Sequence, residues 1–554
     1  MMSPFRRIAS SVAAILAISL MACAGGSRPA TKRGSVVDAP AGIVAGATDG
    51  DLRVFKGIPY ALPPVGDARW KPPTAMPRWS GAKTATDFGP ACVQPIARGN
   101  GVYAQDLGPL SEDCLTLNIW APADARNAPV FVWIHGGSLR SGSSKETLYD
   151  GAALAKRRVV VVSINYRLGV LGYLAHPELS AESAGGISGN YGLLDQVEAL
   201  KWVQHNIGAF GGDASNVTIA GESAGDLSVM YLMAAPPARG LFAKAIAQSA
   251  YMASTQELKQ TKFGTPSAEA AGSAMAARLG ATNIAALRAM DSQAVTDKGL
   301  AAGFAPFGAI DGKVLPAQLV DVFDKGEQAL VPLLAGFNSG EIRTLTVLAP
   351  PPVVSAADYE RIIRERYGDL ADQFLQLYPA ASQQESIYAN TRDALYGWTA
   401  VRLARKQTAA GAPAFLYLFD HGYPATEVAN LHAFHASELP FMFGTLERTP
   451  PNWPKIPATK AERTFSDAML DYWASFIKTG QPSAAGTPVW PAYGATSAYI
   501  HFADAPRVAQ RLFPGMYDLH EATVCRRKAS GDFPWHWNTG LASPKLPAKT
   551  PPCA

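Results

Sequence analysis

A serine hydroxyl is a weak nucleophile in neutral water. It becomes a strong one only where a turn exposes it beside a positioned base. Gly221-Glu222-Ser223-Ala224-Gly225 has the residue types for such a turn. Before it, Val217-Thr218-Ile219-Ala220 is a β-branched, apolar run that predicts a buried strand; after it, Leu227 to Met233 predicts a helix. Small residues two before and two after the serine let strand and helix approach closely. The amides that open the helix then face any negative charge that develops at the hydroxyl. A Gly/Ser turn between two core elements has the same pattern, so the rest of the chain must supply an oxyanion site, an acid and a base.

An oxyanion site needs backbone N–H groups that face a cavity. His135-Gly136-Gly137-Ser138 follows Val130-Phe131-Val132-Trp133-Ile134, a continuous apolar run that predicts a strand covered on both faces. The acid should sit at a strand end between the serine and the base. Glu341 does, shortly after the apolar run Pro332 to Phe337. Nine histidines are available. His135 belongs to the glycine loop, and His205 lies in a predicted helix. His176, His421, His501, His520 and His536 have no supporting context. His432 and His435 share a loop after the predicted strand Ala414 to Phe419.

Further predicted elements are short strands between Ala41 and Tyr60, strands at Cys114–Trp120, Val159–Ile164 and Tyr499–Phe502, and helices from Asn190 to about Ile207 and from Thr464 to Phe476. The Ala-rich stretch after Ser249 reads as helical up to about Met290, and further helical patterns cover Ala357–Tyr367 and Tyr388–Lys406. The Trp- and Pro-rich tail after Arg526 should drape on the body.

The set His135-Gly136-Gly137, Gly189-Asn190-Tyr191-Gly192-Leu193-Leu194-Asp195-Gln196, Phe210-Gly211-Gly212-Asp213 and Gly221-Glu222-Ser223-Ala224-Gly225 resembles the type-B carboxylesterase/lipase family. Ser111-Glu112-Asp113-Cys114-Leu115 is similar to the family's first disulfide segment. The resemblance runs from Ala41 to about Arg526. It implies an α/β-hydrolase fold: a large, mostly parallel central sheet flanked by helices, with helical insertions (about 252–300 and 344–408) over the catalytic edge. It implies a serine carboxylic-ester hydrolase with Ser223 as nucleophile, Glu341 as acid and His435 as base, because His435-Ala436-Ser437-Glu438-Leu439 matches the family's histidine segment. His432 is then a neighbour with a packing role, and Glu438 a brace for the histidine loop. Gly137, Ser138 and Ala224 would supply the oxyanion amides. The chain departs from the family at Ser138, at Gly340 and Ile342 around the acid, and at Asp226, where a small uncharged residue is usual. Glu222 and Asp226 are candidates for the pocket wall. For Asp226, capping the helix dipole is the favoured alternative.

Composition fits this implication. The chain has 554 residues, 48% of them hydrophobic and 17% charged, with a net charge of +4. A large core is possible, and the scattered basic residues make nucleic acid a poor partner. No metal-ligand spacing or dinucleotide fingerprint is present, so no cofactor is expected. Residues 1–22, with Arg6-Arg7 and an apolar run too short to span a bilayer, predict an export signal. Leu20-Met21-Ala22-Cys23 resembles a lipobox, which makes Cys23 the lipidation candidate, with ordinary cleavage as the alternative. Residues 23–40 read as a tether and 41–554 as one domain, exported to the periplasm or cell envelope or else secreted. A lipid anchor at Cys23 would be the sole membrane contact. Of the other cysteines, Cys92 and Cys114 are expected to pair, and Cys525 with Cys553 by elimination. Small to medium organic esters, with water, are the expected substrates. A multi-ester natural product, a carbamate, a lactone or a long-chain lipid ester is the alternative for the same triad. A non-catalytic surface-binding protein is the alternative from another class.

Overall fold

The computed structural model describes residues 34–96 and 101–553. The export signal, Cys23 and the first part of the tether lie outside the described residues. From Gly34 onward the chain forms one compact unit.

Thirteen strands make its main sheet: β1 Ser35–Ala39, β2 Gly42–Asp49, β3 Leu52–Pro59, β4 Ala82–Thr84, β5 Thr116–Pro122, β6 Ala128–Ile134, β7 Val160–Ile164, β8 Gly212–Glu222, β9 Lys244–Gln248, β10 Leu333–Asn338, β11 Ala414–Phe419, β12 Ala498–Phe502 and β13 Pro506–Gln510. Their spatial order is β1-β2-β3-β5-β7-β6-β8-β9-β10-β11-β12-β13, with β4 beside β2. Every pairing from β7 through β12 is parallel, and the flanking pairings β1-β2, β2-β3, β3-β5, β5-β7 and β12-β13 are antiparallel.

The central strands read as unbroken apolar runs because both faces are covered. Along β6, Val130, Val132 and Ile134 enter one core with Val197 and Leu200 of α1 (Tyr191–Asn206) and Val229 of α2 (Ala224–Ala234). Phe131 and Trp133 point the other way, into a second core. There they share the layer with Trp473, Phe476 and Ile477 of α4 (Lys460–Thr479). Helix α3 (Trp398–Ala409) packs on β10 and β11, so the last residues of the second expected insertion belong to the sheet-flanking layer.

The sheet begins at Ser35, inside the stretch read as a tether, because Val37 and Ala39 alternate inward while paired with β2. After Ser249 the chain is not yet helical. Gln256–Glu257 pairs with Ala309–Ile310 as a short parallel ladder. A turn at Lys262–Thr265 and then Pro266 postpone the helix to Ala268, where Ser267 Oγ accepts from the Ala270 amide at 3.2 Å. Helix α5 (Met516–Ser530) runs past Arg526, and the tail beyond it docks through the fully buried Trp535 against Trp398. Both expected disulfides, Cys92–Cys114 and Cys525–Cys553, are formed.

Candidate active site

Ser223 stands between β8 and α2 with φ 56° and ψ −124°. Positive φ is costly for a residue with a Cβ, about 1–3 kcal/mol, and persists only where the surroundings enforce it. Here two contacts enforce it. A Cβ on Gly221 would lie 2.3 Å from the carbonyl carbon of Gly225, and one on Gly225 would lie 2.1 Å from the Ile134 carbonyl oxygen. Both glycines are therefore required by the crossing of β6, β8 and α2. The Ser223 amide donates to the Gln248 carbonyl at 2.9 Å, which fixes the turn to the end of β9.

The glycine loop after β6 presses on this turn. A Cβ on Gly136 would come within 3.1 Å of Glu222 Oε2 and 3.2 Å of Ser223 Cβ. Gly137 has φ 102°, and the residues after it, Ser138 and Leu139, also have positive φ, 58° and 55°. The amides of Arg140 and Ser141 both donate to the Gly137 carbonyl at 3.0 Å, closing a tight turn. The amides of Gly137 and Ser138 donate to no acceptor among the described residues. Ala224 is the first residue of α2, so its amide has no partner within the helix. All three residues line one cavity with Ser223, Glu222 and His435. His135 stays buried behind the loop, stacked on Tyr166, whose hydroxyl donates to the His135 carbonyl at 2.8 Å. Burial lowers His135 to about 4, so it is neutral and supports the loop.

Glu341 and His435 meet although 94 residues separate them: His435 Nδ1 lies 2.5 Å from Glu341 Oε2. Glu341 is fully buried just past β10, and its other oxygen accepts from the Asn338 amide at 2.8 Å. Gly340, a departure from the family pattern, is explained by contact. Its amide donates to the Ala433 carbonyl at 2.8 Å, and a Cβ there would lie 2.8 Å from the Leu431 and Ala433 carbonyl oxygens. The other ring nitrogen of His435 faces Glu222 Oε1 at 3.1 Å. Ser223 Oγ makes no hydrogen bond with the imidazole here, although serine and imidazole face the same cavity. Burial works to lower the imidazole, but Glu222 and then Glu341 outweigh it and raise His435 to about 9. Burial also pushes the Glu222 carboxyl up, against the pull of His435.

Two residues that sequence reasoning passed over hold this arrangement. Asn338 Nδ2 donates to the Phe434 carbonyl at 2.8 Å and to Glu438 Oε2 at 2.6 Å. Gln248 Nε2 donates to Glu438 Oε1 at 3.0 Å. Glu438 thus braces the histidine loop from both sides, with burial raising it to about 7. The signal was a polar residue closing each apolar strand, at Gln248 and Asn338. Tyr103 adds a clasp from the Cys92–Cys114 loop: its hydroxyl donates to the His435 carbonyl at 2.7 Å.

Two expectations change. His432 does not pack; it is 41% exposed and pairs with Glu427 at 2.7 Å. Asp226 neither lines the cavity nor caps α2: its buried Oδ2 accepts from the Ala250 amide at 2.9 Å and ties the loop after β9 to the helix. Burial pushes its carboxyl well above the usual range. The long motif around Asn190 proves to be an anchor. Asp195 receives Arg167 through two oxygens at 2.8 and 2.7 Å, and Asn190 exchanges hydrogen bonds with the Ala309 backbone.

The cavity has a volume of about 1250 Å³. Its wall adds Tyr251, Gln293, Leu345, Val347, Leu348 and Tyr396 from the segments bordering or within the two expected insertions. Among the described residues no group of His, Cys, Asp or Glu is arranged to hold a metal ion, and no helix is long and apolar enough to cross a membrane.

Comparison with known proteins gives a consistent answer. The sequence model of the Carboxylesterase family matches residues 33–519. A fumonisin B1 esterase of Sphingopyxis macrogoltabida is 37% identical over 470 residues, covering 80% of this chain and 82% of that protein. A para-nitrobenzyl esterase of Bacillus subtilis is 38% identical over 468 residues, covering 83% and 92%. Among solved structures, a PNB esterase superposes with a TM-score of 0.75 at 34% identity, over 87% of this chain and 99% of that one. Matching sequence, α/β-hydrolase architecture and buried polar site together place the chain in the carboxylesterase family, whose members are carboxylic-ester hydrolases.

Proposed function

We propose that this hydrolase cleaves small to medium organic esters through an acyl-enzyme, with Ser223 as nucleophile, His435 as general base and acid, and Glu341 as the carboxylate that orients the imidazole. The observation that carries this reading is the buried His435–Glu341 contact opening onto the cavity that also holds the strained Ser223 turn. With Nδ1 held by Glu341, Nε2 is the nitrogen left to take a proton. In the substrate complex Ser223 Oγ comes within reach of Nε2, loses its proton to it and bonds to the ester carbonyl carbon. The oxyanion is met by the amides of Gly137, Ser138 and Ala224, each such donor contributing about 3–4 kcal/mol to the transition state. The carbonyl–alkoxy bond then breaks, and His435 gives its proton to the departing alcohol. Water, deprotonated by the same nitrogen, attacks the acyl-serine, and the acid leaves as Ser223 regains its proton.

A volume of about 1250 Å³ exceeds what a simple alkyl ester fills. That size supports a second reading, in which the same site accepts a bulky multi-ester molecule. A relative named for fumonisin B1 points the same way.

A fluorophosphonate probe should label the parent and not Ser223→Ala. Glu341→Gln should keep its fold by circular dichroism while kcat falls about ten-thousandfold. Near-normal turnover by either variant would remove that residue from the mechanism. A series of p-nitrophenyl esters of rising chain length, set beside bulky multi-ester substrates, reads out which substrate class is preferred.

A further inference from the structure

Several buried or half-buried arginines among the described residues hold carboxylate partners. Arg69 grips Glu112, Arg167 grips Asp195, Arg392 grips Asp393, and Arg402 bridges Asp324 and Glu521. Arg140 holds none: its Nε is buried with no hydrogen-bond partner, and its guanidinium forms no ion pair among the described residues. It is also the one lysine or arginine among the described residues that line the active-site cavity.

Its position is set by the backbone. Arg140 closes the tight turn that begins at Gly137, so it stands two residues after Ser138, whose amide is assigned to the oxyanion. That turn carries two consecutive non-glycine residues in the left-handed region, Ser138 and Leu139. Such strain persists only where neighbouring structure enforces it. Gln94 supplies part of that enforcement, since its side chain accepts from the Gly142 amide at 2.8 Å and donates to the Gly142 carbonyl at 3.0 Å. The guanidinium therefore rides on a rigid loop.

Three carboxyl groups share the cavity with Arg140 and leave it unpaired. Glu146 accepts from the Ser143 amide and Gln105 Nε2, Asp106 accepts from the Gly108 amide, and Glu222 faces His435. Burial raises Glu146 to about 7, which weakens its competition for the cation at neutral pH. A planar, permanently charged fork without a protein partner, in a cavity with much apolar wall, matches a carboxylate bidentately.

We propose that Arg140 is a binding residue for an anionic group on the substrate, so that the preferred esters carry a free carboxylate besides the ester that is cleaved. The proposal rests on the esterase reading of this site and deepens it to a substrate class. Hydrolysis would follow the steps given above, with the second carboxylate unchanged and held by the guanidinium. Where the second carboxylate sits on the acyl part, the free acid product is a dicarboxylate and would compete with substrate.

The test uses matched pairs of esters on the purified full chain. p-Nitrophenyl hydrogen glutarate against p-nitrophenyl pentanoate places the charge on the acyl side, and 4-acetoxybenzoate against 4-acetoxytoluene places it on the alcohol side. The reading is the ratio of kcat/KM, anionic over neutral, within each variant. In one of the pairs Arg140→Gln should lower that ratio about 10- to 100-fold, the range of a lost charge-assisted hydrogen bond. Arg140→Lys should recover part of it, and added salt should lower the parent's ratio. The carboxylate product of that pair, glutarate or 4-hydroxybenzoate, should inhibit the parent more strongly than Arg140→Gln. Ratios unchanged by Arg140→Gln in both pairs, or anionic and neutral esters losing equally, would overturn the proposal. If Arg140→Gln does not fold, a parent ratio that salt leaves unchanged, together with unaltered ratios in Arg140→Lys, overturns it equally. Failure of the esterase reading itself looks different: the parent would hydrolyse no ester of either pair and take no fluorophosphonate label.

Discussion

At the scale of single residues, the most consequential contact is Glu222 against His435. The imidazole has a carboxyl group on each nitrogen, Glu341 at 2.5 Å and Glu222 at 3.1 Å. Two neighbouring carboxylates favour the imidazolium, which is why His435 rises to about 9 despite burial. On the proposed mechanism, a base that keeps its proton cannot take one from serine. Activity should therefore be low at acid pH and rise as pH increases, with the midpoint of kcat/KM above the usual histidine value. Glu222→Gln removes the largest raising influence, so the midpoint should move down toward the ordinary histidine range. A pH–rate profile of both forms checks this; identical midpoints would mean that Glu222 does not govern the imidazole. The same contact tells how the site is poised. Nε2 lies 3.1 Å from Glu222 Oε1 without a hydrogen bond, and on the proposed mechanism substrate must draw the serine hydroxyl to it.

At the scale of elements, the site is a set of strand ends tied together by buried amides. β8 delivers Ser223, β9 ends at Gln248, β10 ends at Asn338 just before Glu341, and the loop after β11 carries His435. Gln248 holds the Ser223 amide with its carbonyl and Glu438 with its side chain. Asn338 holds Glu341 with its amide and the histidine loop with its side chain. One network thus joins the Ser223 turn, Glu341 and the His435 loop, the proposed triad, across three parallel strands. Asn338→Ala leaves the Phe434 carbonyl and one Glu438 oxygen without that donor. Unfolding free energy should fall by about 2–3 kcal/mol, with kcat reduced and KM little changed. Denaturant titration with parallel kinetics measures both; a stability loss with unaltered kcat would assign Asn338 a purely structural part.

At the scale of the molecule, crosslinks fasten the segments that the sheet does not contain. The two disulfides should differ in their effects. Each closes a loop of comparable length, 22 and 28 residues apart in sequence. Loss of either should therefore cost about 3–4 kcal/mol by restriction of the unfolded chain. The Cys92–Cys114 loop, however, carries Tyr103, whose hydroxyl clasps the His435 carbonyl. The Cys525–Cys553 loop fastens the tail around Trp535, on Trp398 of α3. Paired serine substitutions at Cys92 and Cys114 should lower both Tm and kcat, whereas those at Cys525 and Cys553 should lower Tm with kcat at room temperature preserved. Thermal melts and initial rates separate the two outcomes. The disulfides, together with the lack of a membrane-spanning helix among the described residues, are compatible with an exported protein.

What the sequence determined by itself was local. Apolar runs with turn residues at their ends gave β6, β8, β10 and β11, because a strand covered on both faces has no polar alternation to obscure it. The spacing of Gly221 and Gly225 around Ser223 specified the strained turn, since a crossing that tight excludes a Cβ. Glu341 and His435, the proposed acid and base, were picked out by their place at strand ends and by the resemblance around the histidine. Only the tertiary structure decided what lies across from these residues. Chain order does not reveal that Glu222 faces Nε2, that Asp226 turns away to Ala250, or that Gly340 lies against the histidine loop. Nor does it reveal that Asn338 and Gln248 converge on Glu438, or that Arg140 lacks the carboxylate that other arginines find. The physical reason is shared by all of them. Burial and long-range pairing set charge state and partner, and they exist only once strands distant in sequence lie side by side.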